Sequence, residues 1–184
     1  DWYSARGITR LIPFRGGPAA NTVAGTISGW RLAYSVSRKW AGRLPLKRLL
    51  ADAVHYAEHG IPVTASQSFA TAAKRGELES QPGFRATFLP EGGVPATGSL
   101  FRQPRLARML SRLARAGLDD FYRGETARAI ARDLASVGSP LVQEDLKRQR
   151  AKLVMPLVLQ HSLGRIYNLP PPTQGIASLL ILGI

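Results

Sequence analysis

The chain closes on "PPPTQGIASLLILGI", and no other stretch limits its fold as strongly. Ile176 to Ile184 carries almost nothing polar, so a helix built from it is apolar on nearly every side and needs cover all round. Lipid cannot supply that cover across a bilayer, because the run is about half of the roughly 20 residues a membrane span requires. Pro170 to Pro172 reads as rigid and extended, and Thr173 is placed to cap a helix that buries Ile176, Leu179, Leu180 and Ile181. A finished helix of this kind carries a polar face, a basic last turn and a stop. Gly183 is the one terminator here, and Ile184 would be a free carboxylate on an apolar helix. The expectation is a severed helix in a chain that also opens mid-loop, with "DWYSARGITR" showing neither an initiator Met nor a basic-then-apolar leader.

Upstream, the pattern is helical. Residues 1–20 form a loop-like lead-in punctuated by Gly7, Pro13, Gly16, Gly17 and Pro18. In "NTVAGTISGWRLAYSVSRKWAG" the spacing places Thr22 as cap and sets Val23, Ile27, Trp30, Ala33 and Tyr34 on one face. Gly25 and Gly29 would let another backbone pack closely. The next helix opens at Pro45, lines Leu46, Leu49, Leu50, Ala53, Val54 and Ala57 into a stripe, and stops at Gly60 before Pro62. A third runs from Ser66 to Lys74 and ends at Gly76, before a long Gly/Pro-rich excursion over 81–100. Leu106, Met109, Leu110 and Leu113 repeat at helical spacing up to Gly117. Glu125 to Val137 follows with Ile130, Ala131, Leu134 and Val137 inward, and "LVQEDLKRQR" suits one short helix. "KLVMPLVLQHSLGRIYNLP" changes period and reads as a hairpin about a Ser-Leu-Gly turn, with Pro156 holding its first strand to an edge or bulge. The fold class is α+β, mostly helical with one late hairpin, and the expectation is that 1–184 is part of one domain.

The 184 residues carry 25 Lys+Arg against 12 Asp+Glu, a formal charge of +13. That surplus suits nucleic acid, an anionic membrane or an acidic partner surface. Arg102, Arg105, Arg108, Arg112 and Arg115 flank the Leu106–Leu113 stripe. They could track phosphates, form the solvated back of an amphipathic helix, or meet carboxylates of another subunit. The absence of Cys removes disulfides, Cys-ligated zinc and a thiol nucleophile, and leaves the compartment open. His55 and His59 have the spacing of metal ligands, with Glu58 between, but no third ligand is visible, and His161 belongs to the hairpin turn; no metal site is assigned. Thr64, Ser66 and Ser68 lie in no Gly-x-Ser-x-Gly elbow, and Trp30 and Trp40 read as core or interface. The residues placed nearest a substrate pocket are Thr173, Gln174 and Gly175, where a helix start offers N–H groups to an anionic acyl group. A structural turn after rigid prolines explains the same residues.

Several motifs occur in an order that resembles the large-subunit segment of the γ-glutamyltransferase family. The first is a T-x-x-G-x-x-x-G-W helix at Thr22, Gly25, Gly29 and Trp30. It is followed by G-x-L-P at Gly42, Leu44 and Pro45, then a helix ending in Glu58, Gly60, Ile61 and Val63. "GSLFRQPRLARMLSRLARAG", "DDFYRGETARAIARDLASVG", "LVQEDLKRQRA" and "RIYNLPPPTQG" match further family segments in order, so the resemblance covers about Asn21 to Ile184. Ala24 stands where many members have Pro. "PPPTQG" stands where glutathione-processing members read P-P-P-S-S-G-G; the Thr-Gln-Gly form resembles an oxamate amidohydrolase-like branch.

The resemblance implies a self-processing N-terminal-nucleophile hydrolase with a four-layer αββα fold shared by two subunits. It implies a Thr nucleophile on a small subunit, so no catalytic residue in this chain. It also implies no cofactor, and a small-molecule substrate that is either a γ-glutamyl compound or an oxamate-like amide. The family's carboxylate-binding Arg sits in an Arg-Glu-x-Ala-Pro segment that residues 1–21 lack, so nothing is carried onto Arg6, Arg10 or Arg15. On this reading the chain is scaffold and pocket wall, inactive alone. The alternative from charge is a basic helical nucleic-acid-binding module.

Overall fold

Helix α1 (Thr26–Lys39) begins later than the capping pattern indicates, with Gly25 as N-cap and Thr22 outside it in a bend. In this computed structural model, which describes residues 2–183, the cap comes from a distant side chain. The Tyr122 hydroxyl accepts the Ser28 N–H at 2.9 Å and donates to the Ala24 carbonyl at 2.7 Å. Ser28 is the third helical residue, whose N–H an N-cap side chain usually takes, so Tyr122 does the work assigned to Thr22. Gly29 is likewise not a close-approach glycine: a Cβ there would meet nothing within 4 Å, and one at Gly25 would touch only the Gln149 side chain.

The chain then follows its helix signals more closely. Pro45, extended, is the N-cap of α2 (Leu46–His59), and its carbonyl accepts the N–H groups of Arg48 and Leu49 at 2.9 and 3.1 Å. Gly60 ends α2 with φ 99°, a conformation that side chains other than glycine's resist. The first strand, β1 (Ile61–Pro62), leads to α3 (Ala65–Leu78), which Thr64 caps by accepting the Gln67 N–H at 3.1 Å. Gly76 does not stop α3. An interior glycine costs about 1 kcal/mol relative to Ala, and ion pairs across it, Arg75–Glu79 and Lys74–Glu77 at 2.8 Å each, offset part of that cost.

The 81–100 excursion contains α4 (Phe84–Phe88) and a 3₁₀ turn at Pro90–Gly92, and it runs into β2 (Leu100–Phe101), which pairs antiparallel with β1, Ile61 opposite Phe101. None of these was legible in the sequence. Helices α5 (Pro104–Ala116), α6 (Asp120–Arg123), α7 (Glu125–Ser136) and α8 (Gln143–Arg148) follow. In the lead-in, 3₁₀ turns form at Ser4–Arg6 and Gly17–Ala19, and the Tyr3 hydroxyl donates to the Pro18 carbonyl at 2.9 Å.

The core of this unit, which extends to Arg150, joins α1, α2, α5 and α6 through Ile27, Leu50, Leu113, Leu118 and Tyr122. Leu113 is fully buried and Tyr122 nearly so. The stripe of α2 is narrower than its apolar count: Leu50 and Ala57 are buried, while Leu49 and Ala53 are exposed. Ala33 on α1 and Leu106 on α5 are exposed too. Trp30 and Trp40 are not core residues, at 42% and 81% exposed; Trp40 follows the last turn of α1, beyond the reach of the core.

The second unit starts at Ala151. Its hairpin pairs β3 (Leu157–His161) with β4 (Gly164–Asn168), Leu157 opposite Asn168 and His161 opposite Gly164, about the expected Ser162–Leu163 turn. His161 is the last residue of β3 and not part of the turn. Pro156 precedes the ladder and so removes no donor from it. Helix α9 (Gly175–Leu182) lies against both strands. Of its expected buried face only Leu179 is buried; Ile176, Leu180 and Ile181 are 45, 66 and 73% exposed. A two-stranded hairpin offers too narrow a surface to cover more than one line of side chains. Ile184, on which the free-carboxylate expectation rests, lies outside the described residues. Among the described residues no helix is long and apolar enough to cross a membrane.

Candidate functional site

The segment between β4 and α9 is a tight corner built around one hydroxyl. Thr173 Oγ1 lies 3.1 Å from the carbonyl oxygens of both Leu169 and Pro170, so it donates to one of them, and it accepts the Gly175 N–H at 3.2 Å. Gln174 is the formal N-cap, but its side chain makes no cap bond; Thr173 supplies the bond instead. Gly175 is buried because the chain leaving β4 passes directly over it. A Cβ there would run into the Leu169 carbonyl oxygen and lie 2.8 Å from Asn168 Oδ1. That Asn168 oxygen is fixed by the Leu169 N–H at 2.8 Å. Glycine is therefore required for the close approach.

Thr173 and Gln174 are exposed. An α-helix leaves its first N–H groups without intrahelical partners. At α9 the Gly175 N–H goes to Thr173, while those of Ile176 and Ala177 have no hydrogen-bond partner among the described residues. Two donors at the positive end of a helix suit a small anionic group such as a carboxylate. The structure thus brings the three expected residues together at the start of α9.

Other residues singled out by sequence serve elsewhere. His55 and His59 stack with ring centroids 4.3 Å apart, and His59 Nδ1 lies 3.0 Å from the His55 carbonyl oxygen. Among the described residues no group of three His, Cys, Asp or Glu gathers around them. Thr64 and Ser66 contact each other at 3.0 Å at the α3 cap. Of the five arginines in and just before α5, Arg112 is held by Asp120 at 2.7 Å and Arg102, ahead of the helix, donates through Nε to the His59 carbonyl at 3.0 Å. Arg105, Arg108 and Arg115 are exposed.

Sequence reasoning missed the most heavily bonded polar group, Asp120. Its carboxylate takes both nitrogens of the Arg112 fork, the Glu125 N–H at 3.1 Å, and the Thr126 N–H and hydroxyl. These contacts tie α5 to α6 and cap α7. The Arg112 guanidinium first, then the Thr126 and Glu125 donors, hold its pKa well below the usual carboxylate range, against a smaller desolvation effect. The available signal was an Asp ahead of Gly124-Glu125-Thr126, a cap written into "DDFYRGET".

Residues 4–184 match the model of the gamma-glutamyltranspeptidase family. The chain belongs to that family. The match takes in most of the lead-in, where the motif resemblance begins only near Asn21. Among gamma-glutamyltranspeptidase relatives, the oxamate amidohydrolase proenzyme of Klebsiella pneumoniae is 56% identical over 176 residues, covering 95% of this chain and 33% of the relative. The glutathione hydrolase-like YwrD proenzyme of Bacillus subtilis is 34% identical over 94% of this chain and 32% of its own length. In structure, cephalosporin acylase from Bacillus halodurans superposes with a TM-score of 0.79 at 30% identity, over 91% of this chain and 32% of that one. The chain thus spans about a third of the length of the curated relatives it matches.

Proposed function

We propose that this chain is the large-subunit portion of a self-processing, γ-glutamyltransferase-like amidohydrolase or acyltransferase. It supplies scaffold and one wall of the substrate pocket. The observation that carries the reading is the 56% identity to an oxamate amidohydrolase proenzyme across nearly the whole chain, together with "PPPTQG" at the β4–α9 corner. Together they favour an oxamate-like amide over a γ-glutamyl compound as substrate.

The nucleophile in this reading is the N-terminal Thr of a small subunit, freed by self-cleavage, whose own amine acts as base. Its hydroxyl attacks the amide carbonyl of oxamate, ammonia leaves, and water resolves the acyl-enzyme to oxalate. Thr173, Gln174 and Gly175 form the pocket wall. The neighbouring N–H groups of Ile176 and Ala177 hold the substrate carboxylate while Thr173 fixes the direction of the helix start. The two subunits complete the four-layer αββα arrangement.

The test uses the full-length protein. Mass spectrometry is expected to find cleavage immediately before a Thr, and the processed enzyme is expected to release ammonia from oxamate faster than it cleaves a γ-glutamyl anilide. Turnover by this segment alone, or failure of the precursor to cleave, overturns the proposal; preference for the anilide overturns only the substrate assignment.

A further inference from the structure

The seam between α2 and α5 presents cations that the described residues do not neutralise. The two helices run antiparallel. The Gln103 N–H, at the head of α5, donates to the Ala57 carbonyl in the last turn of α2 at 2.7 Å. At the other end, Lys47 near the start of α2 lines one cleft with Arg115 near the end of α5. Two clefts open along the seam and share Ser111 and Arg115. One, about 520 Å³, is lined by Arg108 and Arg112 with Glu58 as its single acid. The other, about 340 Å³, has a small apolar floor of Ala51, Val54 and Ala114. At about 1.5 Å of rise per residue, α5 gives the groove a length of roughly 16 Å, room for about five residues of extended chain.

Arg112 is already held by Asp120 at 2.7 Å. Lys47, Arg108 and Arg115 have no carboxylate within 4.0 Å among the described residues. We propose that this groove docks an acidic, amphipathic segment of a partner protein. Its carboxylates lie over Lys47, Arg108 and Arg115, and its small apolar side chains sit on the Ala51–Val54–Ala114 floor. Alternation of charge and apolar contact along an extended chain fits both features at once. A second copy of this segment does not suit the groove, because each segment carries +13 and the two repel. Single-stranded nucleic acid gains from aromatic platforms, and this floor is Ala and Val.

The experiment measures fluorescence anisotropy of a short labelled peptide in which Glu alternates with Ala, titrated with the full-length protein at low ionic strength. A peptide with Lys for Glu and a DNA duplex serve as the comparison arms. The acidic peptide is expected to bind and the basic one not. The double variant Arg108→Glu, Arg115→Glu is expected to weaken binding tenfold or more, by about the charge-pair effect seen at other interfaces, with affinity falling as salt rises. Both arginines are exposed, and an unchanged circular dichroism spectrum verifies the fold. Lys47→Glu, on the opposite wall, repeats the test independently. No binding of the acidic peptide, binding indifferent to both sets of variants, or duplex binding that is as tight and equally sensitive to them overturns the proposal.

Discussion

Helices α5 and α9 are both rich in aliphatic residues, and they meet their surroundings in opposite ways. On α5, Ala107, Leu110 and Leu113 are buried while Arg105, Arg108 and Arg115 face water. On α9, Gly175 and Leu179 are buried while Leu180 and Ile181 remain exposed. An unpaired guanidinium is costly to bury, so the arginines of α5 leave one orientation open to it. On α9 the exposed Ser178 is the single polar side chain among the described residues, too weak a mark to set a face, and the line the helix buries is chosen by the hairpin beneath. Charge placement, more than apolar content, makes a helix's packing readable.

The largest expected effect tests that contrast directly. Leu113 has no exposed surface and belongs to the core cluster, so Leu113→Ala is expected to lower stability in urea unfolding by about 3 kcal/mol, through lost transfer energy and a residual cavity. Leu180→Ala, at an exposed position, is expected to cost less than about 0.5 kcal/mol. Equal losses at the two sites would break the comparison.

Asp120 sharpens it from the polar side, because the first unit has a largely shielded polar hub, whereas the start of α9 is held by the exposed Thr173 hydroxyl. Asp120→Asn is expected to cost about 2 kcal/mol; the value sits below that for a fully buried pair because Arg112 is partly exposed. The folded-state pKa of Asp120 is depressed, so the unfolded chain binds the proton first as pH falls. The stabilisation is therefore complete above the ordinary carboxylate pKa of about 4 and declines below it towards the depressed value. The difference in urea midpoint between the parent protein and Asp120→Asn is expected to shrink between about pH 5 and pH 3. A difference that grows on acidification would remove the Arg112–Asp120 account.

Tyr122→Phe should be milder, at about 1 kcal/mol, because it removes one hydroxyl and leaves the Ser28 N–H and the Ala24 carbonyl without it. Hydrogen exchange at the start of α1 is the sensitive measurement. Faster exchange there, with little change in α7, is the expected pattern.

Local signals made much of the fold legible. Gly60 and Gly117 end α2 and α5 where the pattern sets the stops, and the hairpin turns at Ser162–Leu163. Two of the misreadings share a cause, a long-range contact acting on a local choice. Thr22 does not cap because Tyr122 already does. β1 and β2 are two residues each and form only because they find each other across the intervening helices. Gly76 is a different case: α3 runs through it, and the local ion pairs Lys74–Glu77 and Arg75–Glu79 offset only part of its cost. The candidate site was readable as a helix start after prolines. The role of Asn168 was not, since it depends on the backbone of Leu169 closing over Gly175.

The mildest expected loss from removing a polar group falls at that corner. Thr173 is exposed, so Thr173→Val, which keeps the shape and loses the hydroxyl, is expected to cost under about 1 kcal/mol. Its effect on binding should be disproportionate. The hydroxyl ties the Gly175 N–H to the Leu169–Pro170 turn and so fixes the direction in which the Ile176 and Ala177 N–H groups point. On the proposed function, Thr173→Val in the processed full-length protein should raise KM for oxamate several-fold while kcat changes less, because on that reading ground-state anchoring is lost and the nucleophile is untouched. Thr173→Ser keeps the hydroxyl and should restore most of the affinity. Equal KM values for the Val and Ser variants would separate the corner from substrate binding and leave Thr173 as a turn residue alone.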